Sequence, residues 1–219
     1  MRRAPASPEI LVLAGTNGAG KSSIAGAALR LAGGELFDPD AAARRFVARH
    51  PHLSPDEASS RAWRLGRRLL TRAIRERLRF AFETTLGGRT MTGLLLEATA
   101  AGIPVRIWYV GLASVELHVE RVRARVLRGG HAIPDRRIRQ RYDASRRNLI
   151  HLLPHLEELK LFDNSPHRDP LAGEPPEPKM VLHLKSGRVL GACPMAEVPV
   201  WAKPIVRAAI RLYGGAGRG

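Results

Sequence analysis

The chain has 219 residues, of which 44% are hydrophobic and 26% charged, with a formal net charge of +16 and a sequence pI near 11.4. That length suits one α/β domain with a sizeable core and excludes two full enzyme domains, and no apolar run is long enough to cross a bilayer. Lys and Arg number 36, but aromatic residues make up only 5%, so the charge lacks the interleaved stacking groups of a nucleic-acid track and fits attraction to polyanionic small molecules.

Ile10 to Ala14 is a short apolar run between a proline-containing segment and a glycine loop, as expected of a buried parallel strand. The run is too short for a signal-peptide core, so a cytoplasmic protein is expected. The lone Cys193 is compatible with a reducing compartment. Ser22 to Leu31 reads as a helix stopped by Gly33 and Gly34, and Glu35 to Phe37 as a second strand leading to Asp38, Pro39 and Asp40, with an alanine-rich helix after it. Ser54, Pro55 and Glu57 form a helix-start signal for a helix to about Leu78. Its apolar stripe is Ala58, Ala62, Leu65, Leu69, Ala73 and Leu78, and its arginines form a solvated face.

Ala81 to Thr84 reads as a strand, Thr90 to Ala101 as a helix, and Val105 to Val110 as a further buried strand. Ser114 caps a helix running through Arg121 and Arg125 to Gly129 and Gly130, and Pro134 opens another that reaches about His151. Leu159 to Phe162 is the last strand of the core, which spans residues 1–165 with a lid around 121–147. Residues 166–179 form a Pro-rich linker, and residues 180–219 a β-hairpin about Ser186-Gly187 with a terminal helix. The expected fold class is α/β, with a parallel sheet and a small C-terminal β-hairpin appendage.

Gly15, Thr16, Asn17, Gly18, Ala19, Gly20, Lys21 and Ser22, followed by Ser23, fit GxxxxGK(S/T) at every constrained position. Glycines let backbone N–H groups curl around phosphate oxygens, and the helix start adds its positive dipole end. Lys21 is placed to reach the terminal phosphates of ATP, and Ser22 to ligate Mg²⁺. A glycine loop serving only as a tight turn leaves the register of Lys21 and Ser22 unexplained. A strand of four apolar residues ending in an acid is missing; the nearest, Leu159 to Asp163, is broken by Lys160, and Asp163 has a simpler use as a turn cap with Asn164 and Ser165.

These residues occur together with Phe37-Asp38-Pro39-Asp40, with Phe82-Glu83-Thr84-Thr85-Leu86, with Arg125 to Pro134 around Arg128-Gly129-Gly130-His131, and with Arg141-Tyr142. The ordered set, over about residues 8 to 165, resembles the zeta-toxin-like family of P-loop kinases. The resemblance implies a three-layer P-loop NTPase with a kinase-like core and a helical lid, and an ATP-dependent phosphotransferase acting on a small hydroxyl-bearing acceptor, which in zeta toxins proper is UDP-N-acetylglucosamine; it also raises an antitoxin as a partner.

By the same resemblance Asp40 takes the acceptor hydroxyl's proton, a role suited to the carboxyl edge of an open α/β sheet; the alternative is that Asp38 or Asp40 caps the next helix. Glu83 matches the family's strand-end glutamate, which holds the acceptor or the metal shell, and Thr84 adds a hydroxyl. Arg121, Arg125 and Arg128 recur at helical spacing before a glycine hinge, so Arg125 and Arg128 are candidate phosphate contacts, with Arg141 and His131 candidate substrate contacts. The rival readings are a nucleic-acid-binding or RNA-end-processing P-loop protein, raised by the charge, and a non-catalytic nucleotide-binding regulator, against which Asp40 and Glu83 at strand ends argue.

Overall fold

The computed structural model describes residues 7–31, 33, 35–130, 132–166 and 177–214. His131, most of the Pro-rich linker and residues 215–219 of the tail lie outside the described residues.

Strand β1 (Glu9–Ala14) is buried along its whole length because a neighbour pairs in parallel on each side: β2 (Arg79–Thr84) and β3 (Val105–Gly111). Strand β4 (Glu158–Asp163) adds in parallel to β3, and β5 (Lys179–Lys185) and β6 (Arg188–Ala192) continue the sheet antiparallel, in the order β2-β1-β3-β4-β5-β6. The hairpin expected after the linker therefore forms as the edge of the same sheet. Its turn has positive φ at both Ser186 (48°) and Gly187 (68°), the twist that two-residue hairpin loops need.

The expected second strand is reduced to one bridge, Phe37 to Phe82. Phe37 donates its N–H to Ala81 O at 2.9 Å and accepts from Glu83 N at 2.9 Å. Pairing stops there because Asp38 caps and Pro39 opens helix α2 (Pro39–Arg49).

Helix α1 (Ser22–Leu31) packs on one face of the sheet over Leu11, Leu13 and Trp108. The larger core on the opposite face takes residues of α3 (Pro55–Arg75), α4 (Arg89–Ala100), α6 (Asp135–Leu152) and α7 (Lys203–Tyr213), giving three layers. Ser54 and Glu57 make the expected capping box on α3. That helix ends at Arg75, short of Leu78, and its buried stripe runs Ala58, Ala62, Gly66, Leu70 and Ala73. The stripe includes Gly66 in place of Leu65 because Phe37 presses on that turn: a Cβ on Gly66 would lie 2.7 Å from the Phe37 ring. Leu78 is exposed.

Helix α5 (Val115–Leu127), capped by Ser114, packs against α6 through Val119, Val122 and Ile138. No helix among the described residues is long and apolar enough to cross a membrane.

Candidate active site

The glycine loop begins where β1 ends, and its shape is fixed by what surrounds it. Gly15 (φ 145°), Gly18 (φ 82°) and Gly20 (φ 80°) have backbone angles that side chains rarely adopt. A Cβ on them would also fall 2.3 Å from Val110 O, 2.6 Å from His118 O and 2.2 Å from Asn164 Nδ2 respectively. Three tethers hold the loop's carbonyls outward. His118 Nδ1 donates to Asn17 O at 2.8 Å, Asn164 Nδ2 donates to Ala19 O at 2.9 Å, and Lys21 Nζ folds back to Gly15 O at 3.1 Å. With those carbonyls engaged, the backbone N–H groups of Gly18, Gly20, Lys21 and Ser22 meet no protein acceptor among the described residues. This donor set, at the start of α1, fits an anion's oxygens.

Thr16 and Asn17 are buried in the loop, Ser23 Oγ donates to Gly20 O at 2.6 Å, and Ser22 is the exposed first residue of α1.

Beside the loop lies a cavity of about 340 Å³ lined by Asn17 and Lys21, by Asp38 and Asp40, by Glu83, Thr84 and Thr85, and by Arg137 and Arg141. The in-register pairing of Ala14 with Thr84 brings the end of β2 beside the loop, which is why Glu83 and Lys21 share one space. Burial pushes the Glu83 carboxyl above its usual range; Lys21 pulls it back, and Asp38 and Asp40 push it further up. Burial likewise pushes the Lys21 ammonium down, against the pull of Glu83, Asp40 and Asp38.

The two aspartates have different duties. Asp38 Oδ1 accepts the Asp40 N–H at 2.8 Å as the cap of α2. Asp40 sits in the first turn, with Oδ2 3.9 Å from Arg125 Nη1.

The arginines of α5 diverge. Arg121 points to the carbonyls of Ser165 and Pro166 at 3.5 and 3.4 Å, Arg125 meets Asp40, and Arg128 is the exposed C-cap of the helix; neither Arg125 nor Arg128 lines the cavity itself. From α6, Arg141 reaches Asn17 Oδ1 at 2.7 Å; Gly87 lets it pass, since a Cβ there would stand 2.8 Å from Arg141 Cγ. Asp163 accepts from Trp201 Nε1 at 2.9 Å and from the Ser165 hydroxyl.

Sequence reasoning missed the loop tethers His118 and Asn164, and it missed a wall of the cavity formed by Asp56, Ser59 and Trp63. Their spacing of three and four along α3 puts them on one side of that helix, a signal hidden by the abundant arginines. Trp63 keeps 43% of its surface exposed.

The zeta toxin family model matches residues 2–164. An uncharacterized protein of Haemophilus influenzae is 31% identical over 131 residues, which cover 58% of this chain and 88% of that protein. Among solved structures, the AvrRxo1-ORF1:-ORF2 complex aligns with TM-score 0.62 at 18% identity, over 84% of this chain and 60% of the other, so the chain spans about three fifths of that relative. The PezAT chromosomal toxin-antitoxin system of Streptococcus pneumoniae aligns with TM-score 0.56 at 16% identity, over 97% of this chain and 81% of the other. The glycine loop at the end of β1, the three layers about the sheet and the match over residues 2–164 lead to one conclusion: the chain belongs to the zeta toxin family and has the P-loop NTPase fold.

Proposed function

We propose that the protein is an ATP-dependent phosphotransferase that moves the γ-phosphate of ATP to a hydroxyl of a small acceptor. The observation that carries this reading is the convergence of Lys21, Asp40 and Glu83 on one cavity beside a loop with backbone N–H groups that meet no protein acceptor among the described residues. Family membership supports it. So does the ATP complex of the AvrRxo1 relative, which aligns at TM-score 0.59 and 18% identity over 59% of that relative.

In this reading the loop N–H groups cradle the phosphates and Lys21 leaves Gly15 O to neutralise the transferred charge. Ser22 would hold Mg²⁺, which fits because magnesium keeps most of its shell as water and phosphate oxygens and needs few protein ligands. When bound, the metal supplies charge neutralisation at the phosphates. Asp40, with Asp38 committed to the cap, orients the acceptor hydroxyl and takes its proton. Glu83 and Thr84 hold the acceptor from the other side, and Arg125 and Arg141 close from the lid helices.

The half-exposed Trp63 offers a flat face for a ring, while Asp56 and Ser59 can bond its hydroxyls. A sugar hydroxyl, as on UDP-N-acetylglucosamine, is therefore the first acceptor to test. An antitoxin partner belongs to the same proposal, supported by the toxin-antitoxin system of the PezAT neighbour.

The test is a screen with γ-labelled ATP against nucleotide sugars, free sugars and nucleosides. Label transfer to one of them in the wild type, lost when Trp63 becomes Ala, supports the reading. ATP binding with no transfer to any hydroxyl compound would favour a nucleotide-binding regulator.

A further inference from the structure

The family match ends at residue 164, yet a residue well beyond it is built into the support of the glycine loop. Trp201 is only 2% exposed. Its indole lies against Gly111, where a Cβ would stand 2.3 Å from Cη2, and it stacks on Tyr109 with centroids 6.2 Å apart at 29°. Its Nε1–H donates to Asp163 Oδ1 at 2.9 Å.

Asp163 ends β4, and the two residues after it connect straight to the site. Asn164 donates its backbone N–H to Gly111 O at 3.0 Å and its carboxamide to Ala19 O at 2.9 Å, while Ser165 Oγ accepts the Ala113 N–H at 2.8 Å. The carboxamide of Asn164 also fills the space beneath Gly20. Tyr109, under the indole, shares a hydrogen bond of 2.9 Å with Ser145 of lid helix α6.

We propose that Trp201 is a positioning residue for the nucleotide loop, acting through Asp163 and Asn164, so that the C-terminal segment outside the family match is part of the phosphate site. The inference rests on the phosphotransferase reading above. The physical reason is the small tolerance of an anion cradle: several N–H groups must point at the same oxygens, and the Ala19 carbonyl must stay turned away from them. Asn164 fixes that carbonyl, and the indole N–H fixes the carboxylate one residue before Asn164. A buried N–H to carboxylate bond is directional and charge-assisted, so it sets an orientation that apolar packing alone leaves loose.

The experiment compares Trp201→Phe, which keeps a ring on Tyr109 and Gly111 but loses the N–H, with Asn164→Ala and with the double variant. Titration calorimetry with ATP and thermal melting are run on the full chain. The expected result is a loss of ATP affinity of about tenfold in each single variant, the scale of one hydrogen bond. The double variant should lose little more than either, because both act on one loop.

Wild-type ATP affinity in Trp201→Phe with a lowered Tm would overturn the inference, leaving Trp201 a packing residue. So would losses that multiply in the double variant. If Trp201→Phe does not fold, Asp163→Asn serves, since it keeps the Oδ1 acceptor but removes its charge; a few-fold loss of ATP affinity supports the inference and unchanged affinity overturns it. Failure of the wild type to bind ATP would instead overturn the phosphotransferase reading, and this inference with it.

Discussion

Asp38 accepts the backbone N–H of Asp40 at 2.8 Å, so one carboxylate of the pair is spent on holding the helix that presents the other. The two positions therefore separate chemistry from stability. Asp40→Asn keeps size and hydrogen bonding while removing basicity, and acceptor phosphorylation should fall by about 10²–10⁴ with Tm nearly unchanged. Asp38→Ala removes the cap and should cost on the order of 1 kcal/mol of stability. Turnover and melting measured on both variants decide the matter; full turnover in Asp40→Asn would remove it as the base.

Arg125 and Arg128 are three residues apart in sequence, but only Arg125 reaches Asp40. Arg125→Ala should slow turnover by about 10²-fold, the scale of losing one donor to transition-state charge, with ATP affinity close to wild type. Arg128→Ala should do little to either. Equal effects of the two on kcat would show that Arg128 also acts on the transferred phosphate, against the divergence of the two side chains seen here.

Glu83 has its carboxyl pushed up by burial ahead of the opposing pull of Lys21. A carboxyl whose folded pKa lies above its unfolded value contributes stability that is full below the unfolded pKa, near 4.5, and is lost as pH rises through the folded value. Ionised Glu83 therefore costs stability at neutral pH, and Glu83→Gln should raise Tm at pH 7 while lowering turnover. Melting the two proteins from pH 4 to pH 8 checks the sign: a gap that opens as pH rises fits, and a variant less stable at pH 7 does not.

His118 is 1% exposed, and burial pushes its imidazole down to about 4. The Asn17 carbonyl can only accept, so the proton of the neutral ring sits on Nδ1. A depressed pKa gives stability that is full above the usual value of 6.5 and lost as pH falls toward about 4, at most on the order of 3 kcal/mol. His118→Gln should flatten this acid limb of the stability curve and weaken ATP binding. An unchanged acid limb would show that the ring is not what titrates there.

The legible parts of this site were those encoded over short spans. Gly15 to Ser22 carry their own geometry, and Asp38-Pro39-Asp40 announced a capped helix start, although the same proline cut the strand expected at Glu35 to Phe37 down to one bridge. Helical spacing put Arg128 beside Arg125, but the helix ends at Leu127 and the row breaks at its cap. Contacts between distant segments left no local mark. The tether from His118 to Asn17 spans 101 positions and that from Asn164 to Ala19 spans 145. Trp63 was hidden for another reason: it lies on a helix whose arginines dominate the pattern, and only the entry of Phe37 at Gly66 shows which side of that helix meets the cavity.

Transfer of phosphate from ATP by this loop and cavity is tested by acceptor-dependent turnover of γ-labelled ATP in the wild type beside Lys21→Ala. Lys21 supplies the partly buried ammonium that shares the cavity with Glu83 and Asp40, and its loss should abolish most of the transfer, by about 10²-fold or more, without unfolding the protein. Label is expected on an acceptor in the wild type and not in the variant. Equal transfer by both proteins would contradict it.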